Sequence, residues 1–347
     1  MTTHPPEPRL TRPGALIAAL PAVLGFVPEK SLVVVSLERG LMGAVLRADL
    51  TAGLESDVGR LAELVANSGA DTAVAAVIDA DGASCPMCND DYRRLSDALA
   101  AELDSRGVEL YASHVVDRVE TGGSWHCVDG CGASGTVEDP SASPLAAAAV
   151  LDGRRLYARR SDLQAVVSVD DPARSAALVD VIVAQALRRE GQWKTDPDGC
   201  GRRDVEAAMI AATLVAEGGE LSDAEIAAIA CGLTDGAVRD TLYALAVGEQ
   251  ASCAEALWAL LARTLPDPWR NESLVLLAFS AYARGDGPLA GLALEAALHS
   301  NPGHRMAGML DTALQSGMRP EQIRKLANTG YQLARRLGVR LPGRRAV

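Results

Sequence analysis

The chain has 347 residues, of which 48% are hydrophobic and 22% charged. That is more than one core needs and enough apolar side chain to bury a sizeable one, so two folded domains are expected and general disorder is excluded. The formal charge is -12, from 33 Lys and Arg against 45 Asp and Glu, which excludes whole-surface binding to phosphate backbones or anionic membranes. Aromatic residues make up 3%, too few for a base-stacking groove.

Met1 to Arg12 carries three prolines and no apolar core, so it reads neither as a signal peptide nor as a membrane segment. Ala15 to Val27 is interrupted by Pro21 and Gly25, short of the roughly 18 apolar residues that a membrane helix needs. A cytoplasmic chain with no membrane partner is expected. Seven cysteines in a reducing compartment are ligands or buried thiols before they are disulfides, and an odd number cannot all pair.

In chain order, a helix is expected at about 11–20, opened by Thr11 before Arg12-Pro13. The run Leu32 to Leu37 predicts a buried strand, Arg39-Gly40 a turn, and Met42 to Asp49 the returning strand of a hairpin. Leu54, Val58, Leu61, Leu64 and Val65 recur at helical spacing. Thr72 to Ile78 predicts a strand, Tyr92 to Arg106 a helix, and Val108 to Val116 another strand. This alternation implies right-handed crossovers and helices packed on a mixed sheet.

From Ser143 the strand signal fades, and helices are expected at 143–151, 172–190, 202–217, 222–231, 235–247, 251–264, 270–284, 288–299, 303–316 and 320–337. Thr195 to Gly201, with Pro197, Gly199 and Gly201, reads as a loop or linker. The expected organisation is an α/β domain with cysteine loops at 1–150, a helical connection and linker at 151–200, an all-α domain at 201–338, and a flexible basic tail at 339–347. Leu277-Ala278, Ala281-Tyr282, Gly285-Asp286, Ala290, Leu294, Ala297 and Pro302 follow the order of a tetratricopeptide unit. The competing reading is an Ala-rich helical hairpin packed through small residues.

The chemistry concentrates in Cys85-Pro86-Met87-Cys88 and Cys127-Val128-Asp129-Gly130-Cys131. Cys-x2-Cys lets two thiolates hold one ion from a tight loop, and a second pair completes a tetrahedral shell, so Cys85, Cys88, Cys127 and Cys131 are expected to bind structural zinc. Both pairs follow predicted strands, which would bring them out at one sheet edge. Alternatives are free thiols in two Gly-rich loops, or a redox pair at Cys85 and Cys88 if they stand at a helix N-terminus. His126 is a second-rank ligand because its adjacency to Cys127 makes joint ligation awkward.

Cys200, Cys231 and Cys253 have no partner at metal spacing and read as small buried hydrophobes. Asp79 and Asp81, at a strand end, suit a ligand or magnesium, or simply a polar turn. His4, His114, His299 and His304 lack a nucleophile at diagnostic spacing, and the sequence has no Walker A loop and no Gly-x-Gly-x-x-Gly after a strand. Arg154, Arg155, Arg159 and Arg160 form one basic stretch, and Arg335, Arg336, Arg340, Arg344 and Arg345 another. Each pairs phosphates or an acidic partner, or is a solvated surface.

The order Arg12-Pro13-Gly14, Leu20-Pro21, Leu24-Gly25-Phe26-Val27-Pro28 and Ser31 to Val35 resembles the opening of an actinobacterial family known as domain of unknown function 4192. So does the later series Trp125, Cys127, Cys131, Pro144 to Ala147, Arg159 to Leu163, Val238-Arg239-Asp240, Trp258 and Gly285 to Ala290. The resemblance spans about 10 to 320. Where the family continues with a Cys-Cys-Pro step, this chain has Cys131-Gly132-Ala133, which makes Cys85 and Cys88 the local substitute for the missing thiols. The family implies no established activity.

The resulting expectation is a non-enzymatic cytoplasmic scaffold, with a zinc-stapled α/β domain and a helical domain that binds a protein partner. The alternatives are an enzyme or binding protein for a small phosphorylated ligand, using Asp79 or Asp81 with the arginines of 154–160, and nucleic-acid association through the C-terminal arginines.

Overall fold

The computed structural model describes residues 12–38, 41–151 and 153–344. Thr11, the Arg39-Gly40 turn and Arg345 lie outside the described residues, as does His4. The chain divides into two compact units, Met1–Arg160 and Ser161–Val347.

The first unit holds helix α1 (Pro13–Leu24), strands β1 (Ser31–Glu38) and β2 (Leu41–Asp49), helix α2 (Leu54–Asn67), strand β3 (Thr72–Ile78), helix α3 (Pro86–Asp104), strands β4 (Glu109–Val116), β5 (Ser124–Cys127) and β6 (Ser134–Thr136), and helix α4 (Pro144–Leu151). The strands form one six-stranded mixed sheet in the order β2-β1-β3-β4-β5-β6. Only β3 and β4 are parallel, joined by the α3 crossover; the other neighbours are antiparallel.

Alternation along each strand sorts side chains between the two faces. Leu32, Val34, Ala73, Ala75, Val77 and Val115 join one core with Leu54, Val58 and Val65 of α2 and Leu95, Leu99 and Leu103 of α3. The intervening Val33, Val35, Ala76, Ile78, His114 and Val116 are also buried and face the other way. Helix α1 covers that side, since a Cβ on Gly14 would lie 2.3 Å from the Thr136 carbonyl oxygen and 3.5 Å from Trp125 Nε1. Glycine there admits the helix against β6 (Glu138 N–H donates to Gly14 O, 3.3 Å). Pro21 sits inside α1, which runs on to a left-handed Gly25.

Helix α3 and strand β5 differ from the sequence reading for local reasons. Helix α3 starts at Pro86 rather than Tyr92, because proline suits the first helical position and the Cys85 sulfur accepts the Cys88 N–H as an N-cap. The chain after β4 turns back at Gly122 and Gly123 and adds antiparallel β5, a strand too short for periodicity to register.

The second unit is all helical: α5 (Arg160–Ala165), α6 (Pro172–Thr195), α7 (Pro197–Ala216), α8 (Asp223–Leu233), α9 (Gly236–Leu242), α10 (Ala251–Thr264), α11 (Arg270–Arg284), α12 (Gly287–Ser300), α13 (Arg305–Gln315), α14 (Pro320–Arg324) and α15 (Ala327–Leu337). The expected loop at 195–201 is mostly the first turn of α7. Asp196 alone separates α6 from α7, and its carboxylate accepts the Gly199 N–H while Pro197 opens the helix. Helix α11 is buried on every side from Ser273 to Ala283, as a central helix must be. Gly285 turns it into α12, and the Asp286 carboxylate caps the new helix through the Leu289 N–H.

Arg189 of α6 lies 2.8 Å from Asp204 of α7 and 3.0 Å from Asp235 at the start of α9. This nearly buried trio ties three helices together. The described part of the expected flexible tail, 339–344, is tethered instead: Val339 is buried, the Glu249 N–H donates to Gly343 O at 2.9 Å, and Arg344 stacks 4.7 Å from the Tyr331 ring. Among the described residues no helix is long and apolar enough to cross a membrane.

Gly14→Ala is expected to lower stability by about 2 kcal/mol, an overpacking cost against rigid backbone. Gly53→Ala, where a Cβ meets nothing within 4 Å, is expected to stay within about 0.5 kcal/mol of the parent. Urea unfolding of both variants checks the contrast.

Candidate functional site

Strand β5 carries the second cysteine pair away from the first. Cys127 is opposite His114, and Trp125 is opposite Val116, so β5 descends along β4 and its terminal loop reaches the level of Ser113 (Val128 N–H to Ser113 O, 3.0 Å). Cys85 instead follows the C-terminal end of β3. The shared edge expected from two parallel strands is therefore not formed.

The faces differ too. Cys127 Sγ is 3.6 Å from His114 Nδ1, and the His114 ring packs edge-on against Trp125 with centroids 5.0 Å apart, all on the α1 side. His126 points to the α3 side, where Nε2 meets Asn89 Oδ1 at 2.9 Å. Cys88 packs against the core on that same side. The pleat of β5 thus separates Cys127 and Cys131 from Cys85 and Cys88, and His126 stands on the side of Cys85 and Cys88.

Beyond Cys127, left-handed Gly130 and Gly132 fold the loop back, and the Asp129 carboxylate accepts the Cys131 N–H at 2.9 Å. Ligand atoms of Cys127, Asp129 and Cys131 lie within 4.8 Å of one another. This is a group that can hold a metal ion, and among the described residues Cys85 and Cys88 do not join it. Burial, then the Cys131 sulfur and the Asp129 charge, push the Cys127 thiol up to about 11. Hydrogen bonds from Cys131 hold the Asp129 carboxyl low. Burial lowers His114, which keeps its imidazole neutral. Asp129 and His114 escaped the sequence reading; the signal for Asp129 was its place midway between two cysteines, whereas His114 needs the strand register.

Of the other sites, Asp79, Asp81 and Arg160 are already internally paired. Tyr92 Oη donates to Asp79 Oδ2 at 2.7 Å, and Asp81 lies 2.9 Å from Lys30. Arg160 is 3.4 Å from Asp49. Asp49 and Ile78 both pair with Ser31, which places these groups two strand spacings, about 10 Å, apart along one edge. Cys200 and Cys231 are buried and Cys253 is half-buried, Cys231 donating to Ile182 O at 3.4 Å.

The molecule is thus a mixed α/β unit carrying a Cys/Asp group, followed by an all-α unit. Residues 13–321 match the family described as a domain of unknown function (DUF4192), and the chain belongs to that family. Comparison with curated proteins and with solved structures gives no match.

Burial raises the Asp79 carboxyl, but the Tyr92 hydroxyl, the N–H groups of Gly82 and Asp81 and the Lys30 charge outweigh it, leaving it below its ordinary value. A depressed carboxyl adds stability above the unfolded pKa and loses it as pH falls through the folded one. Tyr92→Phe is expected to cost about 1.5 kcal/mol at neutral pH, with the difference vanishing in acid below the ordinary carboxylate range. Urea unfolding of both chains across pH measures it.

Proposed function

We propose that this protein is a cytoplasmic interaction protein, with an α/β unit braced by one zinc ion and a helical unit that docks a protein partner. The observation that carries the metal reading is the grouping of Cys127, Asp129 and Cys131 within 4.8 Å, with His114 Nδ1 3.6 Å from the Cys127 sulfur. A tetrahedral ion with Zn–S of about 2.3 Å and Zn–N of about 2.0 Å sets sulfur and nitrogen about 3.5 Å apart. His114 lies outside the group whose ligand atoms are all within 4.8 Å of one another, and it would have to move towards Asp129 and Cys131 to serve as fourth ligand. Two thiolates favour zinc over hard cations, and a full shell leaves no water position, which suits a brace rather than a hydrolase. Seven unpaired thiols suit a reducing compartment.

Elemental analysis of the purified chain is the test. About one zinc per chain is expected, retained in a Cys85→Ser/Cys88→Ser variant and lost, with a lower melting temperature, in Cys127→Ser/Cys131→Ser. Zinc that follows Cys85 and Cys88 instead overturns this assignment.

For the partner, the supporting observation is exposed apolar side chains at helical spacing on two packed helices. They are Val183 (46% exposed) and Leu187 (68%) on α6, and Ile210 (70%) and Leu214 (37%) on α7. Leu187→Asp/Ile210→Asp is expected to keep the parent stability within about 0.5 kcal/mol and to lose proteins that the parent chain retains from an extract of its source cells. Identical retained sets, compared by quantitative mass spectrometry, would dismiss this surface.

A further inference from the structure

The Cys85–Cys88 pair is left outside the metal group, and its setting has a chemistry of its own. Cys85 is the N-cap of α3, directly after the loop that leaves the parallel strand β3. Its sulfur accepts the Cys88 backbone N–H at 3.4 Å. Both sulfurs are half-buried, and between them Met87 is 75% exposed. Two thiols one helical turn apart, one capping and one within the first turn at the positive end of a long helix, form the arrangement in which one sulfur attacks and the other resolves.

We propose that Cys85 and Cys88 form a dithiol–disulfide exchange site acting on a solvent-accessible disulfide, with Cys85 the nucleophile and Cys88 the resolving thiol. The Cys85 thiolate attacks one sulfur of the substrate disulfide. A Cys85–substrate disulfide forms as the substrate S–S bond breaks, and the departing thiolate takes a proton from solvent. Cys88 then gives its proton to solvent and attacks the Cys85 sulfur, expelling the second substrate thiolate and closing the Cys85–Cys88 disulfide. Two electrons pass from the dithiol to the substrate, and an external dithiol returns them.

The surroundings fit these roles. Hydrogen bonds from Cys88 hold the Cys85 thiol low, while that same bond, burial and the Asp91 and Asp79 charges keep Cys88 protonated. Gly82 fixes the preceding loop, because a Cβ there would meet Tyr92 Oη at 1.9 Å. Met87 supplies an apolar contact beside the sulfurs. The site shares no residue with the metal group, so either reading can fail alone.

The test treats the reduced full-length chain with oxidised glutathione and maps each cysteine by mass spectrometry, with half-buried Cys253 as the internal reference. The expected product is a Cys85–Cys88 disulfide. Cys88→Ser should accumulate a glutathione adduct on Cys85, and Cys85→Ser should react at Cys88 about tenfold more slowly. With dithiothreitol as reductant, the parent chain but not Cys85→Ser should speed cleavage of a disulfide-bonded peptide. Modification of Cys85 no faster than Cys253, equal rates in the two variants, no acceleration of peptide cleavage, or zinc held by the pair would each overturn the proposal.

Discussion

The constraint on which the site depends is the two-residue period of a strand. Val115 and His114 are adjacent in β4, yet one joins the α3 core and the other faces α1. Strand β5 inherits that sorting through its register, Cys127 opposite His114 and His126 opposite Val115. A slip of one residue would send Cys127 to the α3 side, towards the Cys88 side of the sheet, and would expel Trp125 from its place beside Gly14 and Gly135. Packing of one aromatic ring therefore decides which sulfur meets which.

Much of this was legible in the sequence. The run Thr72 to Ile78 coincides with β3, and 270–284 with α11, because unbroken apolar runs bounded by turn residues leave little choice of structure. The α/β and all-α halves followed from the loss of strand signal after Ser143. What stayed hidden were short elements governed by a single hydrogen bond or a partner strand. The start of α3, Pro86 to Asp91, has no apolar periodicity, and it is helical because of one cap and one proline. The same holds at Asp196, where glycines that read as a loop lie within α7. Strand β5 has four residues, and only its ladder with β4 defines it.

That hidden turn changes the meaning of the cysteines. Read as a loop, Cys85 and Cys88 are two ligands waiting for two more. As the cap and first turn of a 19-residue helix, the sulfur of Cys85 faces backbone N–H groups that no other acceptor satisfies. The preceding loop cannot wander, since Asp79 is held by Tyr92 and by the Asp81 N–H, and Gly82 lets the tyrosine ring approach. A crossover connection thus sets a dithiol at the end of a parallel strand, while the hairpin beyond β4 sets its own on the opposite face.

Identical side chains are in this way given opposite electrostatic settings. Burial first, and then the neighbouring thiol and carboxylate of its own loop, disfavour the Cys127 anion, and its thiol is pushed up to about 11. Only a cation brought into that group makes all three anions compatible. Cys85 meets partial positive charge from the helix end and the Cys88 backbone N–H, so its anion is favoured without any metal. The same residue type is suited to coordination in one place and to nucleophilic attack in the other. The difference is set by which strand, and which face of it, delivers the sulfur.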